Sequence, residues 1–191
     1  MNNNFFENND YKMPVTSSYM KFKDGTNTFR VLSSAIVGYE YFTKENKPVR
    51  SRVEFDETPN IKDGGEVKHF WAFAVWNYAD ERVQILELTQ KGIMGYMQSL
   101  ISNKKWGNPS GYDITVTKSG TGLTTEYTEM AEPHSPLEDK VAQAWSKCTI
   151  DLTELYRGGD PFKPTTKPEA TEQVVPKGYD GAVEVPDDIF N

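Results

Sequence analysis

The clearest strand in this sequence is Val67-Lys-His-Phe-Trp-Ala-Phe-Ala-Val-Trp-Asn-Tyr78. Its β-branched and aromatic residues favour an extended conformation. A tight turn, Ala79-Asp80-Glu81, joins it to a second strand, Arg82-Val-Gln-Ile-Leu-Glu-Leu-Thr89. From residue 90 to residue 105 the apolar residues recur every three or four positions, which predicts an amphipathic helix. The centre of the chain is therefore predicted to be a β-hairpin followed by one helix.

Shorter strands are predicted on both sides of this centre. The N-terminal ones meet across Asp24-Gly25, a hairpin signal, and the second of them continues to residue 42. Several short strands with one helix before the closing hairpin predict a mainly β fold, a five-stranded oligonucleotide-binding (OB) barrel with its helix between strands 3 and 4. The flanking strands are predicted at residues 19–23, 28–33, 35–42, 112–118 and 124–130.

Composition limits the class of protein. The single cysteine, Cys148, excludes an intramolecular disulfide and indicates a reducing compartment. No stretch approaches the roughly 18 apolar residues that a membrane-spanning helix needs. The first residues contain no basic region followed by an apolar core, so no secretory signal is predicted. We therefore expect a soluble cytoplasmic protein with no membrane partner.

The two ends of the chain differ from its body. Residues 1–13 are rich in Asn and are predicted to be disordered, residues 14–157 form the predicted barrel domain, and residues 158–191 form a flexible, proline-rich acidic tail. The tail ends with two carboxylates before an apolar pair, which suits a short motif that docks into a basic, apolar-lined pocket. The alternative is a tail without a role. The predicted partner-binding residues are Asp187, Asp188, Ile189 and Phe190.

Aromatic residues interleave with Lys and Arg in three parts of the body. Stacking on aromatic rings contributes about 1–3 kcal/mol per base whatever the base, and nearby cations contact phosphates. The strand at residues 67–78 has aromatic residues on both faces, so either one face binds bases or both are covered, one by the core and one by the loop at residues 43–65. The predicted stacking residues are Tyr39, Tyr41, Trp71, Phe73 and Trp106, and the predicted phosphate contacts are Lys44, Arg50, Arg52, Lys68 and Lys105.

Signals for catalysis or metal binding are weak. His69 and His134 are the only histidines, and neither lies near Cys148 or a carboxylate cluster in the sequence. A structural zinc site needs about four ligands. Gly120-Thr-Gly122 is a hairpin turn, because the Lys-Ser/Thr pair and helix of a phosphate loop do not follow it. We predict that the protein is not an enzyme, with no catalytic residue, no metal and no cofactor.

Five blocks of the chain form a recognisable set: Thr28-Phe-Arg-Val-Leu-Ser-Ser34, Lys68-His-Phe-Trp-Ala-Phe-Ala-Val-Trp-Asn-Tyr78, Val83-Gln-Ile-Leu-Glu-Leu88, Trp106-Gly-Asn-Pro-Ser-Gly-Tyr-Asp-Ile-Thr-Val116 and Thr125-Glu-Tyr127. Together they resemble bacteriophage single-stranded DNA-binding proteins with an OB fold, over roughly residues 19–156. The resemblance implies a protein that coats single-stranded DNA in phage replication or recombination, in the host cytoplasm. It also implies that the acidic tail recruits replication or recombination proteins, although here Asn191 follows Phe190. Self-association is left open.

A protein- or carbohydrate-binding structural module is the alternative function. Aromatic surfaces bind sugars as well as bases, and the net charge of −7 disfavours a polyanionic ligand. Seven acids and three lysines lie in residues 158–191, which leaves the rest of the chain slightly acidic. A nucleic-acid site must therefore be a local groove. The salt dependence of binding distinguishes the two functions. Affinity for DNA falls as the salt concentration rises, whereas affinity for a sugar should hardly change.

Overall fold

The computed structural model describes residues 17–163, which form one mixed β-sheet with three α-helices. None of these helices is long and apolar enough to span a bilayer. The Asp187–Phe190 motif and the predicted disordered segment at residues 1–13 lie outside the described residues. The strands are β1 (Tyr19–Met20), β2 (Gly25–Val31), β3 (Ile36–Phe42), β4 (Pro48–Ser51), β5 (Lys68–Asn77), β6 (Arg82–Leu88), β7 (Asp113–Ser119) and β8 (Glu126–Ala131), and the helices are α1 (Lys91–Ile101), α2 (Asp139–Ser146) and α3 (Glu154–Arg157).

Strand β5 is the centre of the sheet. One edge of β5 pairs antiparallel with β6. Along the other edge, the N-terminal half of β5 pairs with β3 and the C-terminal end of β5 pairs with β2. Strand β2 also pairs with β7, β7 pairs with β8, and β3 pairs with β4. The long strand predicted from residue 28 to residue 42 is therefore divided into β2 and β3, which lie along successive parts of the same neighbour.

The prediction of a mainly β fold is confirmed, and α1 lies between β6 and β7, where the helix was predicted. Within residues 17–163 the sheet has eight strands rather than five, and it is not closed, because β1 and β8 end the path of paired strands. Helix α1 ends at Ile101 instead of residue 105. There the chain turns back, and the amide of Gly107, a residue with φ of 62°, donates a hydrogen bond to the Leu100 carbonyl.

The predicted hairpin across Asp24-Gly25 does not form. Gly25 has the positive φ of 87° that the turn signal indicates. Strand β1 nevertheless pairs in parallel with β6, and β2 pairs with β5 and β7. The prediction of a turn at Asp24-Gly25 was correct. Which strands pair with β1 and β2, however, depends on contacts with residues far along the chain. The predicted β5–β6 and β7–β8 hairpins both form.

Both faces of β5 are covered along most of its length. On its inner face, Phe73 and Val75 pack with residues of α1 in the largest core cluster. On its outer face, Phe70 and Trp76 are 0% and 4% exposed. Residues 137–162, which we call the C-terminal segment, pack on this outer face through α2 and α3. The alternative of a strand covered on both faces is therefore correct, but the C-terminal segment covers it rather than the loop at residues 43–65.

Candidate functional site

Two of the five predicted stacking residues lie in the interior. Phe73 is 1% exposed on the inner face of β5, and Tyr41 is 3% exposed on β3. The Tyr41 ring packs edge-on against Phe55 at 4.9 Å between centroids, and its hydroxyl donates to the Pro59 carbonyl at 3.2 Å. A ring enclosed in this way offers no face to a base. Tyr41 and Phe73 are core residues, which corrects their assignment as DNA contacts.

Tyr39 and Trp71 lie together, with His69 between them. In the β3–β5 register Tyr39 is opposite His69, and the two rings meet edge-on at 5.3 Å. The Trp71 indole Nε1 donates to His69 Nε2 at 3.2 Å. Tyr39 and Trp71 are half-buried and His69 is exposed. His69 is not among the predicted contacts, although its place two residues before Trp71 on one strand puts both on the same face.

Trp106 belongs to a second aromatic group, at the turn after α1. Its ring stacks on His134 with centroids 5.7 Å apart and meets Tyr112 edge-on at 5.1 Å. The core covers Trp106 in part, whereas the neighbouring Lys105 is exposed. His134 therefore already occupies part of the ring surface that a base would need.

Arg50 is a structural residue rather than a phosphate contact. Its side chain is 8% exposed, with Nε donating to Glu40 at 3.0 Å and Nη2 donating to Glu87 at 2.8 Å. A guanidinium that is buried between two carboxylates cannot turn to a phosphate without leaving both of them unpaired. This corrects the prediction for Arg50.

The other predicted cations are exposed. Lys44 and Lys68 expose 57% and 51% of their side chains, in ion pairs of 3.4 Å with Asp63 and 3.5 Å with Glu66. Exposed pairs of this kind contribute little, about 0–1 kcal/mol, so a phosphate can displace the carboxylate at small cost. Arg52 is also exposed, with its guanidinium 5.1 Å from the centre of the Tyr156 ring.

The register separates the predicted rings from most of the predicted cations. Successive side chains on a strand point to opposite faces. On β5, Trp71 therefore shares the inner face with His69, whereas Lys68 shares the outer face with Phe70. Lys68 is opposite Glu40 of β3, so Glu40 also faces outward and Tyr39 inward. The structure does not combine the predicted contacts in one groove.

The outer face instead carries an open cleft of about 400 Å³ at the end of β3 and β5. We call it the outer cleft. Phe42, which is 44% exposed, forms one wall, and Lys62 and Lys68 line the cleft as well. The buried carboxyl residue Glu40 and the loop at Gly64 and Gly65 complete it. Phe42 and Lys62 were not among the predicted contacts, although Phe42 alternates in phase with Glu40 on β3.

The loop that borders the cleft is held against β3 by the backbone. The Lys62 amide donates to the Phe42 carbonyl at 2.8 Å, and the Gly65 amide donates to the Lys62 carbonyl at 2.7 Å. Gly64 has φ of 71°, and a Cβ at Gly65 would lie 2.7 Å from the Lys62 carbonyl oxygen. Both positions therefore require glycine, and the two glycines allow the backbone to turn closely beside the cleft.

Glu40 is the least exposed charged group of the cleft, at 5%. Burial raises the pKa of Glu40, and the nearby Glu87 raises it further, whereas Arg50 lowers it. Lys68 also stabilises the ionised form. With Arg50 between the two carboxylates, the acidic character of this part of the cleft is largely compensated.

Comparison with protein-family models, with curated proteins and with solved structures finds no match to this chain. Within residues 17–163, no group of three or more His, Cys, Asp and Glu side chains could hold a metal ion.

Proposed function

We propose that this protein binds single-stranded DNA with little sequence preference and without catalysing a reaction, and that the outer cleft is one of its nucleotide-binding sites. The observation that carries the proposal is the exposed ring of Phe42 beside Lys62 and Lys68 on an open face of the sheet. An aromatic ring that stacks on bases and lysines that contact phosphates are what a single-strand site requires.

The strand pairing supports an OB-like arrangement. The bent strand β2–β3, then β5, β6, β7 and β8 supply the five strands, and α1 follows the third of them. The OB fold is a partly open barrel whose outer surface and loops bind oligonucleotides. On this interpretation β1 and β4 are additions to the five-stranded barrel, and the outer cleft lies on the surface expected to bind DNA.

Residues outside the cleft extend this site. Lys44 and Arg52 are exposed cations in the loops that follow β3 and β4. Tyr39 and Trp71 on the inner face, and Trp106 with Lys105 at the turn after α1, are further candidate contacts for a strand that follows the protein beyond the cleft. The proposal places the protein in the host cytoplasm during phage replication or recombination. It assigns recruitment of partner proteins to the acidic terminal motif, on the basis of its sequence alone.

A carbohydrate- or protein-binding module is the second candidate. The carboxylates of Glu40 and Glu66 line the same cleft as Phe42, and carboxylates accept hydrogen bonds from sugar hydroxyls. A sugar stacked on Phe42 would use the same ring without needing the lysines. The two functions therefore differ in their dependence on salt.

The test is a titration of the full-length protein with a fluorescent single strand of mixed sequence at two salt concentrations. We expect binding to the single strand but not to a duplex of equal length, with a log–log salt slope of about −0.7 per phosphate contact. Phe42→Ala should weaken binding about tenfold, since stacking contributes about 1–3 kcal/mol per base.

The matched control is Leu123→Ala, because Leu123 is fully exposed at the β7–β8 turn and does not line the cleft. It should bind DNA as the unmodified protein does. An affinity that does not change with salt, or equal binding of duplex and single strand, would contradict the proposed function.

A further inference from the structure

One long edge of the sheet is unpaired in the described part of the chain. The path of paired strands ends at β8, which spans six residues and pairs there with β7 alone. The Glu132 amide donates to the Asp113 carbonyl, and along an antiparallel strand the backbone groups point alternately to one side and the other. The amides and carbonyls of Tyr127, Glu129 and Ala131 therefore point away from β7. They are left free to pair with a further strand.

The other edge strands are protected in ways that β8 is not. Sheet edges are normally shielded by short strands, by proline or by lysine. Strand β1 has two residues, and β4 has four and begins with Pro48. The sequence of β8, Glu126-Tyr-Thr-Glu-Met-Ala131, contains neither proline nor lysine. Its outer side chains are accessible, and Met130 is 53% exposed. The edge of β8 is therefore open to an added strand.

The charges along β8 indicate what kind of strand would pair with it. Glu126 and Glu129 lie on β8 and Glu132 follows it, so the acids recur at every third residue. If two copies of β8 paired antiparallel about Glu129, each Glu126 would face a Glu132 and the two Glu129 side chains would face each other. Like charges directly opposite are destabilising. A strand with cations at the same spacing would instead place one opposite each acid.

A cleft at the Tyr127 end of this edge can hold a side chain of the added strand. It has a volume of about 250 Å³ and lies between β8 and the residues that follow β1. Tyr127 and Phe22 line it with their ring centroids 5.9 Å apart, and Leu86 lines it as well. Lys21 and Lys118 are also part of its lining. The side chain that enters beside Tyr127 is therefore expected to be apolar rather than basic.

We propose that β8 binds an extended, basic segment of a partner protein, which joins the sheet as a further strand. In this mode of recognition the backbone hydrogen bonds to a sheet edge supply affinity, and the side chains supply specificity. The segment carries Lys or Arg at every third residue, with β-branched or apolar residues between them. The inference does not rest on the proposed binding of DNA, which is assigned to the outer cleft.

The first experiment uses the full-length protein and a synthetic heptapeptide, Lys-Thr-Val-Lys-Thr-Val-Lys, with a fluorescent label. Its lysines match the three acids in either strand direction, and we expect saturable binding by fluorescence anisotropy. Two further peptides carry three N-methyl groups each, on the even-numbered residues or on the odd-numbered residues after the first. Only one edge of the peptide can face β8, so one of these two should bind at least about tenfold more weakly than the other.

Equal affinities of the two N-methylated peptides would overturn the proposal, because attraction between charges alone does not distinguish the two edges of a peptide. No binding of the unmodified peptide would overturn it as well. Sedimentation velocity of the full-length protein tests the alternative occupant. A dimer that the peptide dissociates would assign the edge of β8 to a second copy of the chain instead.

The second experiment removes two of the acids. Glu126→Gln combined with Glu132→Gln should weaken binding of the heptapeptide about tenfold, roughly threefold for each ion pair. The matched control is Glu57→Gln combined with Glu66→Gln, which removes the same charge from exposed positions outside β8. The control should bind as the unmodified protein does. Equal losses in two folded variants would mean that net charge attracts the peptide, and would overturn the proposal. If the first variant does not fold, the N-methylated peptides decide the question in the unmodified protein.

Discussion

The outer face of the sheet is divided into a covered region and an open region. In the covered region Phe70, Ala72 and Ile85 pack beneath Leu152 and Leu155 of the C-terminal segment, and all five residues are at most 8% exposed. In the open region the same face carries the outer cleft, with exposed Lys68 and Phe42. Both regions use strands β3 and β5, so the difference lies in the side chains rather than in the backbone.

The two regions differ in the side chains that they present on the outer face. Burial of apolar side chains stabilises the covered region by about 25 cal/mol per Å² of surface removed from water. Covering the open region in the same way would bury the charge of Lys68, and burying a charge costs free energy unless it stays paired and hydrogen-bonded. Within residues 17–163 the outer cleft is left open.

Arg50 lies at the boundary between the two regions. Its guanidinium is 5.7 Å from the centre of the Phe70 ring in the covered region, and it pairs with Glu40 of the cleft and with Glu87. The stability of both regions depends on Arg50, since its guanidinium is the cation that pairs with the carboxylates of Glu40 and Glu87. The largest effect of a single substitution is therefore expected here.

Arg50→Ala should lower the free energy of unfolding by about 3–5 kcal/mol at neutral pH, because it leaves the buried Glu40 without its cation. Urea denaturation measures the loss. Without Arg50 the pKa of Glu40, already raised by burial, rises further. A carboxyl whose pKa is higher in the folded state binds its proton there first, so folding gains stability as pH falls through that pKa.

The deficit of Arg50→Ala relative to the unmodified protein should therefore shrink as pH is lowered toward the usual range of a carboxyl group. Lys68→Ala is the control, because its exposed side chain should change stability by no more than about 0.5 kcal/mol. A deficit that is the same at neutral and acidic pH would mean that Arg50 acts through packing on Phe70 alone.

Leu155→Ala tests the covered region. Leu155 is 3% exposed, and its truncation should lower the free energy of unfolding by about 2–5 kcal/mol, since the cavity adds to the lost burial. In the open region, Phe42→Ala should change the free energy of unfolding by no more than about 0.5 kcal/mol. Urea denaturation of both variants gives the comparison directly. Equal losses would show that the two regions do not differ in the way the burial indicates.

Tyr156→Phe has the smallest expected effect. The Tyr156 hydroxyl donates to the Val37 carbonyl at 2.7 Å, which connects the C-terminal segment to β3. Loss of this bond should lower the free energy of unfolding by about 0.5–1.5 kcal/mol. DNA affinity should not change, because Tyr156 does not line the cleft. The control is Tyr127→Phe, whose hydroxyl has no hydrogen bond in the described residues, and an equal loss there would remove the hydrogen bond as the explanation.

Part of the candidate site was predictable from the sequence, and part was not. Lys68 was selected because it precedes an aromatic strand, and it does line the cleft. Tyr41 and Phe73 are predicted as stacking residues because they are aromatic, and both are buried. Strand alternation assigns each residue to a face, but it does not say whether a loop or a helix covers that face. Phe55 and Pro59, which enclose Tyr41, lie in a loop whose path no local pattern predicts.

Much of the local structure of this protein follows from its sequence. The two hairpins β5–β6 and β7–β8, the helix α1 and the mainly β class follow from turn residues and from apolar spacing, which act between near neighbours. Contacts between distant parts of the chain pair β1 with β6 and place the C-terminal segment over part of the outer face. They also place Glu40, Phe42 and Lys62 around one cleft. These contacts join residues far apart in the chain, and their free energy depends on which surfaces meet after folding.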